Sequence, residues 1–287
     1  MTPAALAAVP ALIAAVIAAP AHAPPEAACA PSPDKMACIP GGPFLRGADT
    51  GPDRARPQQE VRVSTFYMDT HEVTHAQYQA CFKVGRCARA RPIYRDFDRP
   101  EQPMVGVSWF DSVQYCEAHG KHLPTEAEWE KAARGTDGRR YPWGDDKATC
   151  ERAVIRDHRG RSCGIKKKGP KPDKGRTFVV GSRPAGVHGL FDMSGNSWEW
   201  VADWASHSYA ACGQHCQGQD PKGPCDGAHT CKGHRYKIVR GGSWYWYADR
   251  ATTTYRRIHV PSNKPYHHFG FRCAASVQEA AKLVAPQ

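Results

Sequence analysis

The sequence predicts one α+β domain with sparse secondary structure. Glycine (26) and proline (24) are abundant and the mean hydropathy is −0.60, a loop-rich balance rather than that of a helical bundle. Three short helices are marked by capping residues in front and by glycines behind. Brief apolar alternations around them read as strands. With 287 residues the chain has ample length for a sizeable core.

Residues 1–23 contain no Lys, Arg, Asp or Glu, carry an apolar run from Ala11 to Ala19, and end in Ala21-His22-Ala23, a small-x-small cleavage pattern. They read as a signal peptide. Pro10 and Pro20 interrupt that run, which is too short and too weakly apolar for a stable membrane span. Residues 24–35 form a Pro- and Ala-rich leader. Ile39 to Gly47 reads as strand, turn, strand. Val61 to Asp69 alternates through Val61, Val63, Phe66 and Met68, a strand with an irregularity where the alternation slips.

Thr74-His75-Ala76-Gln77 has the form of a capping box, so a helix begins after Thr74 and ends near Gly85. Ser108 opens a second helix, stopped by Gly120. Thr125-Glu126-Ala127-Glu128 opens a third, ended by Gly135. Gly138 to Asp146 is a turn, and residues 147–180 are polar and basic. Residues 205–235 carry four cysteines among many glycines, as a disulfide-tied excursion would. Val239 to Trp244 returns to strand, and no internal repeat occurs.

Lys and Arg number 39 against 28 Asp and Glu, which favours anionic surfaces. The excess concentrates between Arg152 and Arg176, in a solvated loop or a docking strip. Twelve cysteines fit an oxidising compartment. The chain is therefore expected to be exported, periplasmic or secreted, with a protein or an anionic envelope ligand as partner and no nucleic acid. Cys29 with Cys38, Cys81 with Cys87, and Cys150 with Cys163 are local pairs. Cys212, Cys216, Cys225 and Cys231 form two disulfides or, with His215 and His229, a zinc knuckle. Their spacings are not C-x-x-C, which favours disulfides.

His71-Glu72-Val73-Thr74-His75 matches the H-E-x-x-H pattern of zinc proteases. That chemistry needs both histidines on one face of a single helix, with the glutamate as base. A helix starting at Thr74 leaves His71 outside it.

The densest stretch runs from Gly189 to Trp204. It holds Trp198, Trp200 and Trp204, the acids Asp192, Glu199 and Asp203, and Asn196. Clustered indoles anchor a core. The acids beside them read either as a structural Ca²⁺ loop, with carboxylates from Asp192 and Glu199 and carbonyls from Gly195 and Ser197, or as a polar turn whose acids cap backbone amides.

Gly189-Leu190-Phe191-Asp192-Met193-Ser194-Gly195-Asn196-Ser197-Trp198-Glu199-Trp200 resembles the G-L-x-D-M-x-G-N-x-W-E-W signature of the formylglycine-generating enzyme (sulfatase-modifying factor) family. Ile39-Pro40-Gly41-Gly42, Glu72-Val73-Thr74, Gly120 to Glu130, Arg240 to Trp244 and Gly270-Phe271-Arg272-Cys273 agree with it in order. The resemblance spans residues 36–276, leaving 277–287 as a C-terminal tail. It implies the α+β, C-type-lectin-like fold of that family. It also implies a calcium loop on Asp192, Gly195, Ser197 and Glu199, and a disulfide between Cys116 and Cys273. The family usually has Asn where this chain has His75.

Family oxidases hold copper on two cysteines shortly after Gly-Gly-Ser, about where this chain has Trp246 and Ala251, and act on the cysteine of a Cys-x-Pro-x-Arg segment in a client sulfatase. Here Gly241-Gly242-Ser243 is followed by Trp244-Tyr245-Trp246-Tyr247-Ala248-Asp249-Arg250-Ala251, and no cysteine lies between Cys231 and Cys273. Copper is therefore not expected. No catalytic residue is assigned, and enzymatic activity is left open. The resemblance places Trp198 and Ser243 at the family's oxygen pocket, with Trp244, Trp246 and Arg250 as further cleft residues suited to stacking or cation–π contact. A non-oxidase binding or accessory domain is the first expectation, and a formylglycine-generating oxidase with other ligands is the alternative.

Overall fold

Short apolar segments set the first four strands, with burial alternating along only the second and third. These are β1 (Met36–Ile39), β2 (Gly42–Arg46), β3 (Gln59–Val63) and β4 (Phe66–Asp69). The slip in alternation between Val63 and Phe66 is a change of sheet. β3 pairs antiparallel with β2, whereas β4 pairs with β1. Ser64 and Thr65 make the crossing. Ser64 donates from N and Oγ to Asp220, each at 2.6 Å, and Thr65 Oγ1 accepts from Gly41 N at 3.0 Å. This computed structural model describes residues 29–262 and 267–285. The expected signal peptide and residues 24–28 of the leader lie outside them.

The three helices are α1 (His75–Lys83), α2 (Trp109–Ala118) and α3 (Glu126–Arg134). Each starts with a closed capping box, formed by Thr74 with Gln77, Ser108 with Asp111, and Thr125 with Glu128. Each cap contributes about 1 kcal/mol by satisfying amides that have no partner within the helix. α3 is buried almost throughout, Glu126, Glu130, Lys131 and Arg134 included. A polar helix in that position requires internal partners for every charge.

β5 (Trp198–Trp204) is the centre of the second half. After it come a one-turn helix α4 (Tyr209–Cys212) and β6 (Lys237–Arg240), β7 (Arg257–His259) and β8 (Phe269–Gly270). The sheet order is β7-β6-β5-β8, with β8 parallel to β5. Along β5, Trp198 and Trp200 enter a core with Tyr78, Trp109, Tyr115 and Phe271, while Val201 enters another with Phe66, Trp129 and Ile238. The strand expected over Val239–Trp244 stops at Arg240, because Gly241 and Gly242 turn the chain with φ of +87° and +82°. β9 (Ala274–Ser276) joins β4, and α5 (Val277–Val284) follows. Residues expected as a tail thus form a helix. His122 ties it down, facing Glu279 at 2.7 Å and Glu128 at 3.2 Å.

All twelve cysteines are paired. The bonds are Cys29–Cys38, Cys81–Cys87, Cys116–Cys273, Cys150–Cys163, Cys212–Cys216 and Cys225–Cys231. The 205–235 excursion is therefore stapled twice, and its thiols are not available for a zinc knuckle. Among the described residues, no helix is long and apolar enough to cross a membrane.

Candidate functional site

The loop before β5 is positioned by its backbone. Gly195 has φ +90°, and a Cβ there would stand 2.6 Å from Val154 O. Gly195 N donates to Gly241 O at 2.8 Å and Asn196 N to Val154 O at 2.9 Å. Asp192 and Asn196 also take left-handed backbones, with φ of 57° and 51°.

Glu72 clamps this loop. It is buried and accepts from Asn196 Nδ2 at 2.9 Å, from Ser197 N at 3.1 Å and from Ser197 Oγ at 2.9 Å. The glutamate of the H-E-x-x-H motif thus faces the loop. His71 lies before α1 and stacks on Phe191, with ring centroids 4.5 Å apart, while His75 is the first residue of α1. The three side chains do not share a helical face as the protease geometry requires.

Glu199 accepts from Arg272 at Oε1 (2.7 Å) and Oε2 (2.8 Å), and from Trp129 Nε1 at Oε2 (2.8 Å). Asp192 Oδ2 accepts from Gly181 N at 2.6 Å, whereas its Oδ1 is buried without a hydrogen-bond partner. Glu72, Asp192 and Glu199 are all buried around Arg272. Arg272 faces all three and Arg183 acts on Asp192 as well, so two guanidiniums stand against three carboxylates. Burial first, and then the neighbouring carboxylates, push the Glu72 carboxyl well above its usual range. Burial likewise lifts Asp192 to about 6, against Gly181 N–H and Arg272, with Glu199 adding to the rise. An orphaned oxygen in a negatively charged pocket fits a hard divalent cation. No group of three or more His, Cys, Asp or Glu with ligand spacing occurs among the described residues, so such an ion would rely on the Gly195 and Ser197 carbonyls as well.

On the far side of the Gly241-Gly242 turn, a cleft of about 870 Å³ opens. A Cβ at Gly242 would stand 2.8 Å from Ala251 Cα, so only glycine lets the 243–251 loop fold back there. Trp244 and Trp246 line the cleft with Tyr94, Phe97, Tyr245 and Phe269. Its cations are Arg95, Lys167, Lys171, Lys174 and Arg257, and no carboxylate lines it among the described residues. Trp198 and Ser243 are fully buried behind it. Arg250 is half-buried and outside the lining, held by Tyr255 Oη and by Asp249 at 3.1 Å.

Three histidines, His259, His267 and His268, also line the cleft. Burial, with Lys167 and Arg161 nearby, lowers the His267 imidazole to about 4. Burial, His267, Arg257 and other nearby positive groups hold His268 well below its usual value. Both are therefore neutral near pH 7. The Nδ1 atoms of His267 and His268 and Trp246 Nε1 are buried without hydrogen-bond partners among the described residues. Glu72, Arg257 and the three histidines were not singled out from sequence as binding residues. The His267-His268 doublet, two residues before Gly270, was the one local signal.

The family's copper does not fit this donor set. The loop offers Trp246 and a buried Ala251 where the two thiols are expected, and every cysteine is in a disulfide. Neither indole nor methyl replaces a soft thiolate.

The sulfatase-modifying factor enzyme 1-like domain matches residues 21–277. A formylglycine-generating enzyme of Thermomonospora curvata is 32% identical over 298 residues, covering 84% of this chain and 93% of that one. Inactive C-alpha-formylglycine-generating enzyme 2 of Mus musculus is 28% identical, covering 84% and 85%. The structure of PvdO from Pseudomonas aeruginosa superposes with a TM-score of 0.63 at 24% identity, covering 84% and 94%, a likeness of fold. The α+β, C-type-lectin-like architecture expected from the sequence is the one observed. With its motifs in order and a family match over nearly the whole length, the chain belongs to the sulfatase-modifying factor (formylglycine-generating enzyme) family.

Proposed function

We propose that this protein is an exported, calcium-stabilised binding or accessory domain that has lost the copper-thiolate oxidase centre of its family. The observation carrying this is the Ser243–Ala251 loop, which has no thiol, in a chain whose cysteines are all paired. Six disulfides support export to an oxidising compartment. The cleft's cations also disfavour the arginine of a Cys-x-Pro-x-Arg client peptide. Incubated with such a peptide, copper and reductant, the purified protein should yield no formylglycine by mass spectrometry. A clear product would establish the oxidase with other ligands.

Calcium would be held by Asp192 and Glu199 with the carbonyls of Gly195 and Ser197, and would offset the negative charge around Arg272. Adding Ca²⁺ should raise the melting temperature, by about 2.7 kcal/mol of stability at a hundredfold excess over Kd. Asp192→Ala should remove that increment. Glu199→Ala is a poorer test, since it also strips Arg272 of its partner.

The pH sign follows from Asp192. Its folded value, about 6, exceeds the ordinary 3.8. Between these values the calcium-free folded state keeps a proton that the unfolded state has released, so raising pH through this window destabilises it. The calcium increment should therefore grow from pH 4 to above pH 6. A melting temperature unchanged by EDTA at neutral pH would sink the calcium reading.

A further inference from the structure

We propose that the cleft bounded by Trp244–Trp246, residues 167–175 and His267-His268 binds a small ring-bearing oxyanion, an aryl or glycosyl phosphate, sulfate or carboxylate. The proposal rests on the non-oxidase reading of this site. Charge is the first argument. Lys167 is 7% exposed, and among the described residues its ammonium donates to the Pro170 carbonyl alone. Arg257 lies over the rings of Trp198, Trp246 and Phe269 at 5.2–5.6 Å, in a lining without carboxylates among the described residues. Half-buried cations without an anion are costly, and a bound oxyanion would supply the missing partner.

The second argument is polar and independent. Trp246, His267 and His268 all line this cleft, and Trp246 Nε1 and the two Nδ1 atoms, closed to solvent, have no hydrogen-bond partner among the described residues. Buried polar atoms are rarely left so, and a ligand with several acceptor oxygens would complete their bonding once these side chains turn toward the cleft. Neutral imidazoles can donate from Nδ1 in the appropriate tautomer. The third argument is shape. Tyr94 is exposed and Trp246 half-buried on the walls, offering faces for a flat ring, and the volume of about 870 Å³ suits one small ligand.

The test is calorimetric titration of the oxidised protein with phenyl phosphate, beside phenol and inorganic phosphate. Phenyl phosphate should bind at least about tenfold tighter than either half, since ring and charge act together. Arg257→Gln should weaken it about tenfold or more, as expected for a lost charge-assisted bond. Lys171→Glu/Lys174→Glu, at two exposed rim positions, should also weaken it without disturbing the fold, as melting will show. Phenol binding should not change in either variant. Phenyl sulfate, benzoate, glucose 1-phosphate and glucuronate rank the head group and separate aryl from glycosyl sources.

Phenyl phosphate binding no tighter than phenol and phosphate, or indifferent to both variants, would overturn the proposal. So would binding of an acidic peptide alone. The formylglycine assay on the same preparation separates the two failures. Product formation overturns the non-oxidase reading, whereas absence of both product and anion binding overturns only this inference.

Discussion

Glu126→Gln should destabilise the oxidised protein by about 3–5 kcal/mol, the range for breaking one side of a buried ionic cluster. Glu126 is fully buried at the start of α3. Its Oε1 accepts from Arg240 Nη1 at 2.7 Å and Arg256 Nε at 2.6 Å. Its Oε2 accepts from Arg46 Nη2 at 3.0 Å and Arg256 Nη2 at 2.8 Å. Glutamine keeps the shape but removes the charge, leaving three buried guanidiniums to Glu130 and Asp203. Burial alone would raise the Glu126 carboxyl, but Arg256, Arg240 and Arg46 outweigh it and hold the group at about 2. A folded value below the ordinary 4.5 means that this stabilisation is complete above that pH and is lost as pH falls toward 2. The variant should therefore lose that part of the wild-type acid sensitivity as well as its midpoint in guanidinium chloride. A loss under about 1 kcal/mol would show that the cluster is no more than a surface pair in energetic terms.

This cluster marks the boundary between what was and was not legible in the chain. The helices were legible because their signals are local: Thr74, Ser108 and Thr125 bond to residues three positions on, and Gly120 and Gly135 stop what they begin. The partners of Glu126 lie 80, 114 and 130 residues away, and no periodicity reveals them. Glu72 illustrates the same limit. Its motif suggested a catalytic base, but its hydrogen bonds reach Asn196 and Ser197, more than a hundred residues on. In Val61–Asp69, alternation located the apolar residues correctly, yet it could not say that Ser64 and Thr65 hand the chain from one sheet to another. The acidic loop proposed here for calcium was visible as a set of residues, Asp192, Gly195, Ser197 and Glu199. The charge imbalance around Arg272, which gives the loop its physical motive, needed the fold. The cleft was half-readable: Trp244 and Trp246 were singled out, whereas Arg250 turned out to face Asp249 and Tyr255 and Arg257 took its place in the lining.

Replacing Cys116 and Cys273 together by alanine should lower stability by about 4–5 kcal/mol, the chain-entropy estimate for so long a loop. The bond spans 157 positions and joins α2 to the segment entering β9, with both residues fully buried in the first core. Most of the effect lies in the unfolded state, which gains the freedom that the cross-link removes. The shorter disulfides inside the loop trim this gain only slightly, because loop entropy varies with the logarithm of length. Cys212–Cys216 provides the internal comparison. It spans 4 positions, and its removal should cost about 2 kcal/mol by the same relation. Equilibrium unfolding of both double-alanine variants, with the other bonds verified by non-reducing peptide mapping, measures the difference. A long-loop effect no larger than the short-loop one would mean that α2 and β9 are held together chiefly by packing of Tyr78, Tyr115 and Phe271. A free thiol at Cys116 or Cys273 in the wild-type protein would remove the premise altogether.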